Sequence, residues 1–264
     1  MKRTLLLILL ASLLAVPALA DPPLRNYNGF ATVPSDDPLG ALTIPDPTPW
    51  AVYMDDFLVY DLAQGTTHYT FTSTTGTVDT NVGISGYPGV LVLTFDAGDN
   101  DVGQLQVVSG NIIIPAGKKA IYEIKCMIDA GAGGTIGQEE LFFGLSTVQV
   151  STDLTAADGL TMAVDNAIGF WSIDGSANLS PIIRVADVES LDSGATTYAD
   201  DAWMILSWYY DGNGTTKFYK DNLLISTSTS AIPALVMSPN IFVKAGEAVA
   251  KIAYVDYWLV AVER

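Results

Sequence analysis

Acidic and amide side chains are concentrated in short turn-like segments, and these are the residues of the chain best suited to chemistry. The densest segment contains Asp96, Asp99, Asn100 and Asp101. Calcium takes about six to eight oxygen ligands from carboxylates, amides and carbonyls, so this loop is the candidate calcium site. Its spacing does not match the EF-hand pattern. Because tight turns also require Asp, Asn and Gly, a purely structural turn is the alternative.

The residues that catalysis would need are not found in a recognisable arrangement. Glycoside hydrolysis uses two carboxylates, about 5–5.5 Å apart for retention of configuration. The segment Tyr122–Lys125 carries one acid beside a base, and Glu139-Glu140 is interpreted as a turn pair before an apolar run. His68 and Cys126 are the only histidine and cysteine, which leaves no nucleophilic triad or zinc site to argue for. We therefore expect a protein that is not an enzyme.

Charge and size limit the classes of partner. The 264 residues carry a net charge of −17, which repels nucleic-acid phosphates. We therefore expect no direct binding of DNA or RNA. A single cysteine permits no intrachain disulfide. Cys126 alternates with Tyr122, Ile124 and Ile128 on one face of a predicted strand, so it is interpreted as a buried packing thiol.

The first 50 residues are distinct from the rest. Residues 1–20 have the basic start, apolar run and Ala18-Leu19-Ala20 ending of a secretory signal peptide, with cleavage expected after Ala20. No later stretch is apolar for long enough to cross a bilayer, so no stable membrane span is expected after its removal. Residues 21–50 hold seven of the 13 prolines. They predict an extended arm that packs on a neighbouring subunit or, equally, a disordered spacer.

From residue 51 to residue 264 the pattern is one of short strands bounded by turn residues, with at most a single helical turn at Ser151–Asp158. Such a pattern predicts an all-β domain, a two-sheet antiparallel sandwich. The strands are expected at His68–Ser73, Val90–Phe95, Gln104–Val108, Ile112–Ile114, Ala120–Ile128, Leu141–Ser146, Leu160–Val164, Ile168–Ser172, Ile182–Val188, Met204–Tyr210, Thr216–Tyr219, Leu223–Ser226, Ile241–Lys244 and Ala250–Val262.

Two segments refine this picture. Trp203–Ile225 contains two tight turns, at Asp211–Gly214 and Lys220–Asn222, which predict a three-stranded meander. The last predicted strand is long and apolar on both sides, which predicts a central strand or one covered by a partner. Strict alternation would place Asp256 and Trp258 on the same face of it.

An ordered set of short motifs runs from Tyr53 to Arg264. Its members are Asp55-Asp56-Phe57, Gly89–Thr94 with Asp99–Asp101, Gly117–Lys119, Tyr122-Glu123, Asp158–Leu160, Asp200–Ala202, Tyr209–Gly212, Gly246–Lys251, Val255–Tyr257 and Glu263-Arg264. The set resembles tailed-phage virion proteins, abundant in marine phages, that carry a concanavalin A-like jelly roll. The resemblance implies that fold and a structural role, with no catalytic residues to carry over.

The resulting expectation is a non-enzymatic structural or surface protein of a virus particle or extracellular assembly, such as a capsid decoration or fibre. Its partners would be other protein subunits, through self-assembly or a capsid, and its location the virion or the extracellular space. The alternative is a secreted carbohydrate-binding module that binds glycan. Calcium is the cofactor on which this binding would depend. A secreted lyase or hydrolase has the least support, since paired carboxylates are missing.

Overall fold

The computed structural model describes residues 49–55, 57, 69–73, 77–79, 89–95, 97–107, 112–147, 155–156 and 161–264. Within these residues the secondary structure consists of strands, with no helix. The strands are β1 (Trp50–Asp55), β2 (Tyr69–Ser73), β3 (Thr77–Asp79), β4 (Leu91–Phe95), β5 (Val102–Val107), β6 (Ala120–Asp129), β7 (Glu139–Ser146), β8 (Thr155–Ala156), β9 (Thr161–Met162), β10 (Ala167–Ser172), β11 (Asn178–Val185), β12 (Val188–Leu191), β13 (Thr196–Thr197), β14 (Met204–Tyr210), β15 (Thr216–Lys220), β16 (Leu223–Ser228), β17 (Ser238–Ala245) and β18 (Lys251–Glu263).

The strands form two antiparallel sheets. Sheet A has the order β16-β15-β14-β6-β18-β4-β3, with β1 also paired to β18. Sheet B has the order β12-β11-β10-β7-β17-β5-β2, with β13 also paired to β11. Strands that are neighbours in a sheet are often far apart in sequence, as β6 and β18 are. The described architecture is thus the all-β two-sheet sandwich that the sequence predicts, and Pro47–Arg264 forms one compact unit.

The core lies between the inner faces of the two sheets, as the two-residue period of strands requires. In β6 the side chains of Tyr122, Ile124, Cys126 and Ile128 are buried in this core, while Lys125 points to the opposite face. The prediction of a buried thiol at Cys126 is confirmed, and burial raises the pKa of that thiol. A thiol held in its neutral form by burial is not a ready nucleophile.

The predicted central strand at the C-terminal end is confirmed, since β18 lies between β6 and β4. The predicted alternation along it holds up to Val255 and is wrong beyond Asp256. The register shifts between Val255 and Tyr257, so Asp256 is an extra residue in the pairing with β6. A bulge of this kind reverses the faces beyond it, and Val255 and Trp258 therefore both lie in the core.

The predicted meander is confirmed as β14-β15-β16. Its first turn is closed by Asp211 Oδ1, which accepts hydrogen bonds from the backbone N–H groups of Asn213 and Thr215. Asp221 and Asn222 form the second turn with φ of 50° and 65°. Two consecutive positive φ values are the signature of a type I′ hairpin turn, for which Asp and Asn are suited.

Other boundaries differ from the prediction. The single strand expected over Ile182–Val188 is a hairpin, because Ala186 and Asp187 both have positive φ and the chain turns back as β12. Ile112 makes only an isolated bridge, so Ile112–Ile114 is not a strand. Trp50, the last residue of the predicted arm, begins β1. The strand of Thr155–Ala156 replaces part of the predicted helical turn.

The signal-like segment, the arm up to residue 48, Asp96 and His68 lie outside the described residues. In the part of the chain that the structure describes, there is no helix of the length and hydrophobicity needed to cross a bilayer.

Candidate functional site

The predicted calcium loop is the turn between β4 and β5. Asn100 has a φ of 67° and its N–H donates to the carbonyl of Ala245 at 2.7 Å. Asp101 Oδ2 accepts from the N–H of Gly98 at 3.0 Å, which closes the turn, while Asp99 is exposed. The turn chemistry therefore accounts for Asn100 and Asp101 without a metal. The calcium site at this loop stays a prediction.

A second acidic group lies at the same end of the sandwich, and we call it the acidic triad. It consists of Asp129 at the end of β6 and of Asp200 and Asp201 in the loop before β14. One carboxylate oxygen of each residue lies within 4.8 Å of one from the other two. The sequence did not predict this group, because Asp129 is far from its partners along the chain and nothing local marks their meeting.

The triad carries a concentrated negative charge. Burial, followed by the charges of Asp129 and Asp200, raises the pKa of Asp201 above its ordinary range. Asp200 Oδ1 accepts from the N–H of Ala130, and Asp129 Oδ1 accepts from the N–H of Gly131. In the ranges described, no Lys or Arg forms an ion pair with the three acids. Convergent carboxylate oxygens of this type suit a hard cation, with water supplying the remaining ligands.

The outer face of sheet B carries a small pocket, which we call the Trp171 pocket. Its volume is about 100 Å³. Trp171 forms one wall, and the aliphatic side chains of Ile173 and Leu191 form others. Trp171 is paired in register with Ser180 of β11, so both side chains lie on the outer face. The indole is 2% exposed, and its Nε1–H has no hydrogen-bond partner within the described chain.

Hydroxyl and amide side chains also line the pocket. They come from Ser176, Asn178, Ser180 and Ser193. Ser180 Oγ accepts from the N–H of Gly194 at 3.0 Å, and Ser176 Oγ accepts from the N–H of Asn178 at 3.3 Å. A serine hydroxyl has one donor and two acceptor positions, so each O–H can still be donated to a ligand.

The outer face of sheet B beside the pocket is closed rather than open. Phe142, Phe242 and Trp171 form an apolar cluster there, and Met162 and Val164 pack on it. The side-chain amide of Gln104 on the same sheet is 2% exposed and has no hydrogen-bond partner within the residues described. The Trp171 pocket is therefore an opening to solvent beside a part of this face that is covered by other side chains.

Two carboxylates at the start of β7 point to opposite faces of sheet B. The interpretation of Glu139-Glu140 as a turn pair is wrong, because these residues begin β7. Successive strand residues point to opposite faces. Glu139 accordingly lies 3.4 Å from Lys251 between the sheets, and Glu140 lies 3.6 Å from Lys244 on the outer face.

The comparisons with known proteins concern the fold. No protein-family model and no curated protein matches the chain. Among solved structures, peanut lectin has a TM-score of 0.55 at 14% identity, over 81% of this chain and 97% of that chain. The fold is that of concanavalin A-like lectins and glucanases.

Two further jelly rolls support this assignment. The endo-1,3-beta-glucanase from Streptomyces sioyaensis has a TM-score of 0.55 at 11% identity, over 83% of this chain and 99% of that chain. The potassium-bound carbohydrate recognition domain of Emp46p has a TM-score of 0.55 at 14% identity, over 78% of this chain and 94% of that chain. The predicted jelly-roll fold is confirmed, while the resemblance to phage virion proteins stays a prediction.

Proposed function

We propose that this protein is a non-enzymatic glycan-binding protein, exported from the cell and cleaved after Ala20. The observation that carries the proposal is the Trp171 pocket, in which an aromatic wall is combined with three serine hydroxyls and an amide. Aromatic faces and a few convergent hydrogen-bonding groups are the usual composition of a small-ligand site. The likeness of the fold to lectins agrees with this choice of ligand class.

The non-enzymatic part of the proposal rests on the pairing of the acids. Glu139 and Glu140 each face a lysine, and Glu189 faces Arg184 at 3.4 Å. A glycosidase needs a general acid and a second carboxylate that converge on one bond. Incubation with β-glucans and alginates, followed by a reducing-end assay, should give no product, and release of oligosaccharide would refute this part.

The first experiment is a glycan array with the full chain, run once with calcium and once with EDTA. Binding to a defined subset of glycans is the expected result, and an array without signal in both conditions refutes the proposed function. A signal that is lost in EDTA would support the predicted calcium dependence. The predicted loop would then be distinguished from the acidic triad by comparing Asp99→Asn with Asp129→Asn.

A second candidate function is the assembly component that the sequence predicts, and exposed apolar side chains on edge strands favour it. Val188 on β12 is 73% exposed, and Leu223 and Leu224 on β16 are 67% and 55% exposed. Edge strands with such side chains are prone to pair with another copy. Light scattering after size exclusion tests this candidate: a multimer that Leu223→Lys converts to a monomer supports it, and a monomeric wild-type chain refutes it.

A further inference from the structure

We propose that the Trp171 pocket binds the acetamido group of a neutral N-acetylhexosamine at the end of a glycan, an inference that rests on the proposed glycan-binding function. The size of the pocket is the first argument. Its volume of about 100 Å³ is below the roughly 300–1,000 Å³ that is typical of sites for drug-sized ligands. A pocket of this size suits a single substituent of a sugar, with the ring itself at the opening.

The walls select an apolar end for that substituent. Trp171, Ile173 and Leu191 present an indole and two branched aliphatic side chains to the cavity. A methyl group placed among them removes apolar surface from water on both sides, which a hydroxyl group would not do. The methyl of an acetamido group has the required size and polarity, and a hydroxymethyl group does not.

The polar groups match the rest of an amide. Ser176 and Ser180 each hold their oxygen against a backbone N–H, which leaves two hydroxyl hydrogens for a ligand carbonyl. The indole N–H of Trp171 is not among these donors, because it is shielded from solvent within the apolar cluster on this face.

The charge of the surroundings excludes acidic sugars. The side chains that line the pocket are all uncharged, so nothing there pairs with a carboxylate or sulfate. The net charge of the chain is −17, which disfavours the approach of anionic glycans further. A neutral terminal sugar is therefore the ligand class that remains.

The test is isothermal titration calorimetry of the full chain with N-acetylglucosamine, its oligomers and the matching glucose oligomers. Binding of the N-acetylated series should be on the order of tenfold tighter or more, equivalent to about 1.4 kcal/mol. Ser193→Phe should weaken that binding at least as much, because Ser193 is exposed at the pocket and a phenyl ring fills its mouth. Thr227→Phe is the matched control, since Thr227 is also exposed and lines a different cavity.

The outcomes distinguish a failure of the acetamido inference from a failure of the proposed glycan-binding function. If the chain binds glycans but equally well with and without acetamido groups, or if Ser193→Phe binds like Thr227→Phe, this inference is overturned and the proposed function stands. If no glycan binds, both are refuted. Circular dichroism of the two variants, compared with the wild type, identifies any loss that comes from misfolding, and Asn178→Ala then replaces the affected pocket variant.

Discussion

Lys251 and Glu139 are fully buried at 0% exposure, and their ion pair joins sheet A to sheet B. Lys251 Nζ lies 3.4 Å from Glu139 Oε2 and also donates to Glu247 Oε1 at 2.6 Å and to the carbonyl of Thr135 at 3.1 Å. Glu139 Oε1 accepts from the hydroxyl of Tyr198. Because an unpaired charge is costly in a protein interior, the Glu139 carboxylate depends on Lys251, whereas Lys251 is also paired with Glu247.

Removing only one of these charges should therefore be worse than removing both. We expect Lys251→Met to lower the free energy of unfolding by about 3–5 kcal/mol, since it leaves the Glu139 carboxylate buried without its cation. The double variant Lys251→Met with Glu139→Gln should recover most of that loss, because the amide oxygen can still accept from Tyr198. Urea unfolding measures both, and a double variant less stable than the single one would contradict the argument.

The acidic triad gives a prediction of the opposite sign. Asp201 has a φ of 53° and a raised pKa, so at neutral pH both its backbone and its charge are unfavourable. We expect Asp201→Asn to raise the melting temperature by about 1–2 °C in EDTA at pH 7, because Asn tolerates positive φ and carries no charge. Asp192→Asn, which removes an exposed charge outside the triad, is the control.

The pH dependence of this effect follows from the direction of the shift. A raised folded-state pKa stabilises the fold fully below the ordinary value of 3.8, and that stabilisation is lost as the pH rises through the folded pKa. The charge-related gain from Asp201→Asn should therefore be present at pH 7 and absent near pH 3. A fall in melting temperature in EDTA at pH 7 would show that the charge of Asp201 is not repelled by its neighbours.

At the scale of elements, turn residues decide where strands end and which neighbours they meet. Asp221-Asn222 was recognisable as a turn because both residue types tolerate positive φ. Ala186-Asp187 adopts a similar turn with φ of 47° and 69°, but alanine carries no such signal. The hairpin β11-β12 was missed for this reason, and with it the strand that supplies Leu191 to the Trp171 pocket.

Replacing Ala186 in this turn by glycine should stabilise the protein. A left-handed conformation costs a residue with a Cβ roughly 1–2 kcal/mol, which glycine avoids at the expense of greater freedom when unfolded. We expect Ala186→Gly to raise the free energy of unfolding by up to about 1 kcal/mol. Ala51→Gly on β1, where φ is not positive, should lower it by about 0.5–1 kcal/mol. Equal effects of the two changes in urea unfolding would contradict this explanation.

At the scale of the whole molecule, the N-terminal processing of the chain separates the two candidate settings. The signal-like pattern predicts that native material begins at Asp21. Intact mass with size-exclusion light scattering measures the first residue and the particle size together. A monomer starting at Asp21 agrees with an exported glycan-binding protein. A chain within a large particle that starts at Met1, or at Met54 directly before Asp55-Asp56-Phe57, agrees instead with the virion role and refutes the export proposal.

Local patterns were sufficient for the class of fold. Alternation predicted which side chains of β6 enter the core, and turn residues predicted the meander β14-β15-β16, because both signals act between residues close in sequence. Alternation failed at Asp256, since a bulge depends on how β18 pairs with β6, a strand more than a hundred residues earlier. The strand predicted over Ile182–Val188 failed for another reason, since Ala186 gives no sign of the turn at Ala186-Asp187.

The groups that bear on function were decided by the tertiary structure. Asp129 meets Asp200 and Asp201 only because β6 and β14 are neighbours, and Lys251 reaches Glu139 only because sheet A packs on sheet B. The Trp171 pocket is drawn from one stretch of the chain, residues 171–194, but it depends on the hairpin β11-β12, which the sequence pattern does not reveal. The chain's own pattern can specify strand, turn and face, since these are local, whereas a site made of distant residues depends on which strands pair.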